Sequence, residues 1–382
     1  MRGWVSMIVR CVVLFTPFEE LRNVDVLIKG EKIKEVRPSR TKNDDDVIEA
    51  EYVIPGLIDP HTHIGLYRLE GEAGDHGFEV SDPVTPHLNV SDAVDLFDPA
   101  FKDALLAGVT CVGILPGSYM SFGSSVERIT IMPGHGSVYK TNGSLVERTA
   151  CIKAAVGEHP KRFLSEQKAV PTTRMGIVAE LRAILTKAKE YAESEKKDKK
   201  DPKLEALIPL LKGQIPLRVH VHVERDIQTV LRLANEFGIR VVLDHATEAY
   251  MLSDSLQDVP IVYGPTVFAR RGVELKNLDS ANLSKMKGLQ FSLTTDHPTI
   301  PIQYLDLLCS LALAHGYSLK EALQLVTINA ARVLGLEGRI GSVEVGKDAD
   351  LVLLSGAPLA PETKVLMTII DGEIVFEADE RE

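Results

Sequence analysis

The chain has 382 residues, 45% of them hydrophobic and 25% charged, and a formal net charge of -11 at pH 7. This length allows one large domain or two, and the composition is that of a soluble globular protein. With no basic face to offset it, the acidic balance argues against nucleic acid or an anionic membrane as a partner. Cys11, Cys111, Cys151 and Cys309 are scattered without a Cys-x-x-Cys spacing and read as buried, reduced thiols.

The stretch from Trp4 to Phe15 is apolar but broken by Arg10. It is shorter than the ~20 residues a bilayer span takes and lacks the order of a signal peptide. It reads as a β-strand, and a cytoplasmic location is expected. Further short β-type runs lie at Val24–Lys29, Lys32–Val36 and Val47–Val53, with a turn signal at Gly30. The other end has the same character at Leu351–Leu354, Val365–Ile370 and Glu373–Phe376, with a turn at Asp371-Gly372. Two β-rich ends around a different middle predict a small composite β-sandwich domain from residues 1–54 and 339–382, and a larger domain over 55–338.

The middle alternates strand-like and helix-like segments, the pattern of a parallel α/β fold. Candidate strands are Leu57–His63, Val109–Leu115, Ile129–Pro133, Ile152–Glu158, Leu217–Val223, Arg240–His245, Ile261–Gly264 and Gln290–Asp296. Eight is the number that a (β/α)8 TIM barrel requires. The third is the least regular, because the Gly-rich segment Pro133–Ser137 also reads as an excursion loop. Helices are expected over Asp226–Phe237 and Ser318–Leu334, and the charged run Glu193–Lys200 reads as a solvated helix end or loop.

Metal-type residues fall at the ends of several of these strands, and in a barrel those ends form the active-site face. His61 and His63 are one residue apart at the end of an apolar run, so both imidazoles share a face. His220 and His222 repeat that alternation; His220 is expected to bind metal, with His222 behind it or on the substrate. His245, Glu158 and Asp296 end three further candidate strands. A single strand histidine is more often a satisfied core residue than a ligand, but this many at strand ends point to a divalent metal centre. Glu158 is the expected carboxylate ligand. Its alternative reading is an acid at a helix start, and Lys153 on the same strand is a rival if the bridging group were a carbamylated lysine. Asp296 is expected both to bind metal and to shuttle a proton from a metal-activated water. Glu224 shares the face of His222 and its role stays open. Arg270 or Arg271 could clamp a substrate carboxylate, against the plainer reading of surface arginines. His135 and Lys140, in the Gly-rich excursion, are expected to be solvated loop residues.

The segments Pro55–His63, Ile215–His222, Asp244–Glu248, Thr294–Pro298, Thr327–Gly335 and Gly341–Leu351, in this order, resemble the amidohydrolase superfamily, in particular its imidazolonepropionase-like members. The resemblance covers nearly the whole chain. It implies a TIM barrel with a composite β domain, one or two divalent metals (zinc, with iron, manganese or nickel as alternatives), and a homo-oligomer. His61, His63, His220, His245 and Asp296 match its metal positions. Glu158 looks like the glutamate variant of a position that many members fill with a carboxylated lysine. The reaction implied is hydrolysis of an amide or cyclic amide C–N bond in a small molecule. Deamination of a purine- or pterin-like ring and dipeptidase or prolidase-like cleavage are the alternatives. A non-catalytic scaffold is disfavoured because the donor set is complete.

Overall fold

The fold is taken from a computed structural model of the chain, which describes residues 6–40, 47–67, 76–79, 81–117, 130–158, 160–161, 171–194, 200–270 and 272–378. Two sheets organise it. The first has seven strands in the order β15-β14-β13-β4-β1-β2-β3. Its members come from both ends of the chain: β1 (Ser6–Phe15), β2 (Glu20–Lys29), β3 (Lys32–Pro38), β4 (Val47–Pro55), β13 (Leu351–Leu354), β14 (Val365–Ile370) and β15 (Glu373–Glu377). β4 pairs in parallel with β1 and antiparallel with β13, so hydrogen bonding runs unbroken from one terminus to the other. The result is one continuous sheet, where the sequence suggested a sandwich of two. Val9, Cys11, Val26, Ile28, Ile33, Val53, Leu351, Leu353 and Ile369 form its apolar side.

The second sheet has eight strands in the order β12-β11-β10-β9-β8-β7-β6-β5. They are β5 (Leu57–Thr62), β6 (Val109–Ile114), β7 (Gly134–Lys140), β8 (Leu145–Ala155), β9 (Leu217–Val221), β10 (Val241–His245), β11 (Ile261–Tyr263) and β12 (Phe291–Leu293). Five of its seven neighbouring pairings are parallel, and the two made by β7 are antiparallel. β7 runs antiparallel to both β6 and β8, and β7 and β8 form a hairpin with no helix between them. The third strand expected at Ile129–Pro133 is thus corrected. Its described residues, 130–133, carry only an isolated bridge from Met132 to Val84, and the strand begins at Gly134. The β-propensity of Ile131 and Met132 leads into this strand without belonging to it, and Gly134 (φ 132) supplies the bend.

Buried apolar side chains from these strands and from the covering helices make one large core. Helix Glu224–Phe237 illustrates the covering layer. Ile227, Val230, Leu233 and Ala234 recur at helical spacing and are buried, Glu224 and Asp226 sit in the first turn where the helix dipole favours acids, and Gly238 ends it in the left-handed region. The run Ser318–Leu334 is two helices, Leu319–Leu325 and Ile328–Leu334, broken at Thr327 (φ -132, ψ -99). All four cysteines are buried and free. Among the described residues no helix is long and apolar enough to cross a membrane.

Along the chain, the first sheet passes into the second through a single residue. β4 ends at Pro55 and β5 begins at Leu57, with Gly56 donating its N–H to Asp350 O at 3.0 Å. A Cβ at Gly56 would lie 2.1 Å from Thr110 Oγ1, so only glycine fits this close approach.

Candidate metal centre

β5 delivers His61 to the strand end and His63 to the residue just past it. The last strand meets the first here. Asp59, fully buried, accepts from Thr294 Oγ1 at 2.6 Å, from Thr295 Oγ1 at 2.6 Å and from Thr295 N at 3.0 Å. His63 N donates to His297 O at 2.8 Å. These bonds bring Asp296 against the histidines of β5: its Oδ1 lies 3.4 Å from His61 Nε2 and 3.5 Å from His63 Nε2. His61, His63 and Asp296 form one group whose ligand atoms all lie within 4.8 Å of one another.

Hydrogen bonds on the far side of the rings fix their tautomers. His63 Nδ1 lies 2.7 Å from Leu115 O, and His245 Nδ1 lies 2.8 Å from Gly264 O. A carbonyl only accepts, so each Nδ1 carries its hydrogen and the neutral ring presents a lone pair at Nε2. His61 is held neutral as well, because burial and the charge of Lys153 push its pKa well down. Burial likewise lowers that of His245. Lone pairs of neutral imidazoles therefore converge on a carboxylate oxygen. That arrangement is repulsive by itself and fits a divalent cation among the donors.

The backbone at these positions is unusual. His245 (φ 68), Ala246 (φ 41) and Asp296 (φ 52) all lie in the left-handed region without being glycine. Such conformations cost on the order of 1–3 kcal/mol each and gather at functional sites. The surrounding bonds hold them: Ala246 N donates to Val221 O at 2.8 Å, and Thr299 Oγ1 donates to Asp296 Oδ2 at 2.9 Å.

His245 ties this group to a second. Its ring centroid is 4.9 Å from that of His61, 4.6 Å from His220 and 5.0 Å from His222, on which it stacks. His220 and His222 are T-shaped at 4.7 Å, and with Glu274 they form another group of ligand atoms within 4.8 Å. His222 Nδ1 lies 2.8 Å from Thr247 Oγ1. Below the histidines is a buried charge network. Asp244 contacts His61 Nδ1 at 3.3 Å and pairs with both Lys153 and Arg218, each almost fully buried. Arg218 also donates to Pro60 O at 2.7 Å.

Several residues lie elsewhere than expected. Glu158 belongs to neither group; its carboxylate pairs with Arg174 Nη2 at 2.8 Å and Lys161 Nζ at 3.2 Å. The left-handed Gly157 (φ 103) breaks the alternation of β8 and turns the next side chain off the strand's inner face. Arg270 pairs with Asp279 at the exposed surface, and Arg271 lies outside the described residues. Glu224 accepts from Gln228 Nε2 at 3.0 Å within its own helix. His135 and Lys140 are not solvated loop residues but buried members of β7. Burial takes the His135 pKa down to about 4. Lys140 Nζ reaches Asp350 at 2.6 Å, Asp371 at 2.9 Å and Asp348 at 3.2 Å. The Gly-Lys-Asp-Ala-Asp-Leu tail is thereby fastened to the second sheet. Glu274 is the residue that sequence reasoning passed over: it sits in a loop after β11 with no periodicity around it, and only its place after a strand end marks it.

A fold of this kind, with histidines and an aspartate gathered where strands end, defines a class of hydrolase scaffold, and comparison with known proteins gives it a family. The chain matches the amidohydrolase family over residues 52–375 and belongs to it, with imidazolonepropionase-like relatives. An amidohydrolase from Thermotoga maritima MSB8, known from its crystal structure, is 35% identical, with a TM-score of 0.89 over 97% of this chain and 100% of that one. The imidazolonepropionase of Symbiobacterium thermophilum is 26% identical over 375 residues, 87% of this chain and 82% of its own. Amidohydrolase tasK of Hapsidospora irregularis is 25% identical over 390 residues, 92% of this chain. This chain spans 40% of the length of that relative.

Proposed function

We propose that the chain is a metal-dependent hydrolase that opens a carbon–nitrogen bond, in an amide or cyclic amide, of a small molecule. The observation that carries this reading is the convergence of His61 Nε2 and His63 Nε2 on Asp296 Oδ1, at 3.4 and 3.5 Å, with the ring tautomer of His63 fixed by Leu115 O. The eight-stranded sheet, tied from β5 to β12 through Asp59, is read as the (β/α)8 TIM barrel of the family with its third strand reversed. The seven-stranded sheet is read as a separate small domain built on it.

In this reading His61, His63 and Asp296 hold a divalent ion, zinc first among the candidates, and His245 stands beside them. Such an ion would lower the pKa of a water to about 7 and polarise the substrate carbonyl. The chain supplies the rest. Leu115 O and Gly264 O orient the imidazoles, and the buried Asp244 network keeps His61 in place. Asp296, ionised at neutral pH, takes a proton during attack and returns it to the leaving nitrogen, a role that contributes roughly 10²–10⁴-fold in rate. The imidazolonepropionase and deaminase relatives support the reaction class.

The test is metal analysis of the purified protein before and after chelation, together with activity on a panel of amides, lactams and ring amidines. The expected result is loss of activity on chelation and its return with added zinc or manganese. Full activity in metal-free protein would overturn the proposal. Ammonia release from a ring amidine, without ring opening, would assign the reaction to the deaminase variant instead.

A further inference from the structure

We infer that His297 is a substrate-binding residue, a fixed hydrogen-bond donor for the carbonyl oxygen of the amide. The inference rests on the hydrolase reading above and adds to it a group of the chain that is not a metal ligand. The hydrogen positions of the ring carry it. Ile302 N donates to His297 Nδ1 at 3.1 Å. A backbone N–H only donates, so Nδ1 holds a lone pair, the ring is neutral and its hydrogen sits on Nε2. His63 and His245 have the opposite tautomer, with hydrogen on Nδ1 against a carbonyl and a lone pair on Nε2. The same side chain thus stands at the strand ends in two forms, one able to give a lone pair and one able to give a hydrogen bond.

The ring is held beside the donor group. His297 N donates to Thr295 Oγ1 at 3.2 Å and His297 O accepts from His63 N at 2.8 Å, so its backbone is pinned between the last strand and the first. Ile302, which fixes Nδ1, is fully buried and opens the turn Ile302–Tyr304. The ring lies near enough to Asp98, His63 and Asp296 to interact electrostatically with each. It is half-buried, and among the described residues no acceptor meets Nε2. The Asp98 carboxylate is engaged elsewhere, by Gly65 N at 3.0 Å and Ala100 N at 2.9 Å. An N–H fixed in place without a protein acceptor suits an oxygen that gains negative charge during attack, and such a donor is worth about 10²–10³-fold in kcat.

The experiment is steady-state kinetics of the zinc-loaded full chain, His297→Leu and His297→Gln on the amide or lactam of the panel that the parent opens fastest, with zinc content and melting temperature measured on each. Gln keeps an acceptor for Ile302 N and a donor beyond it; Leu keeps neither. The expected result is a fall in kcat of about 10²–10³-fold in His297→Leu with KM changed by less than about threefold, because the bond strengthens as charge develops. His297→Gln should recover about tenfold or more of that loss, with zinc content at the parent's level in both variants. A kcat in His297→Leu within about threefold of the parent overturns the inference. So does a loss that follows zinc content or melting temperature, or one that His297→Gln does not relieve, because the side chain would then serve structure alone. If His297→Leu does not fold, His297→Phe, which keeps a ring without its nitrogens, is read in its place. A parent that opens no member of the panel removes the hydrolase reading and this inference with it; an active parent with an indifferent His297→Leu removes the inference alone.

Discussion

Two buried charged clusters in this molecule solve opposite problems. Around Lys140, one ammonium group meets Asp348, Asp350 and Asp371, and Lys32 and Arg339 close on Asp348 from outside. Charge is compensated there by the chain itself. At the strand ends, His61, His63 and Asp296 bring together lone pairs and a carboxylate, and the ammonium of the buried Lys153 is engaged by Asp244. Burying a charge without compensation is costly. The first cluster is therefore complete as a piece of structure, and the second is a donor group that could hold a metal ion. One fastens the terminal tail to the second sheet; the other is where the proposed reaction would take place.

Substitutions at the two clusters should have different signatures. The largest expected effect is from Asp296→Asn, which keeps the shape but removes the proton acceptor. We expect kcat to fall roughly 10²–10⁴-fold with circular dichroism and melting temperature close to the parent. Retained turnover would erase the functional half of the contrast. Lys140→Ala should do the reverse. It takes the cation from the buried Asp350, while Asp348 keeps Lys32 and Arg339, and is expected to cost about 3–5 kcal/mol in equilibrium unfolding, with activity per folded molecule unchanged. A loss below about 1 kcal/mol would show that the cluster is not a fastening.

The smallest effect is a pH dependence. Burial opposes ionisation of Asp348, but the hydrogen bond from Lys32 and the charges of Lys140 and Arg339 hold its carboxyl below the ordinary value of 3.8. A carboxyl depressed in the folded state contributes stability that is present above its unfolded pKa and is lost as pH falls through the folded one. Lys140 has the opposite sign: burial works against its charge, the Asp350 and Asp371 carboxylates raise its pKa, and its contribution persists until pH climbs past the ordinary value of 10.5. Melting temperature should thus fall on acidification below about pH 4, and less steeply in Asp348→Asn. Identical acid limbs in the two proteins would remove Asp348 from the account.

What could be read in the sequence follows from periodicity. His61 and His63, or His220 and His222, share a face because strand side chains alternate, and that rule needs no knowledge of the rest of the fold. Most strands of both sheets were legible for the same reason. Readings failed where a local conformation overrode the pattern. Gly157 reverses the alternation that Glu158 was expected to follow, and nothing in the sequence states its φ of 103. Thr327 breaks the run Ser318–Leu334 without a glycine or proline to announce it, bonding instead to Leu323 O at 2.6 Å. Lys140 looked like a loop lysine because its partners lie more than two hundred residues away, at Asp348 and Asp350. Glu274 was invisible because a loop carries no period; it accepts from Glu158 N and lies near His220 and His222, all distant in sequence.

The joint at Gly56 sets an order in time. β4 and β5 are almost one strand, and β4 lies between β1, made early, and β13, which spans Leu351–Leu354. The strand that bears His61 is therefore hung from a sheet whose middle stays open until residue 354 has been synthesised. On a ribosome the N-terminal strands must wait, with one edge of β4 bare, through the synthesis of everything in between. The placement of His61 and His63 is consequently a late event in folding, completed only once Leu351–Leu354 can pair with β4.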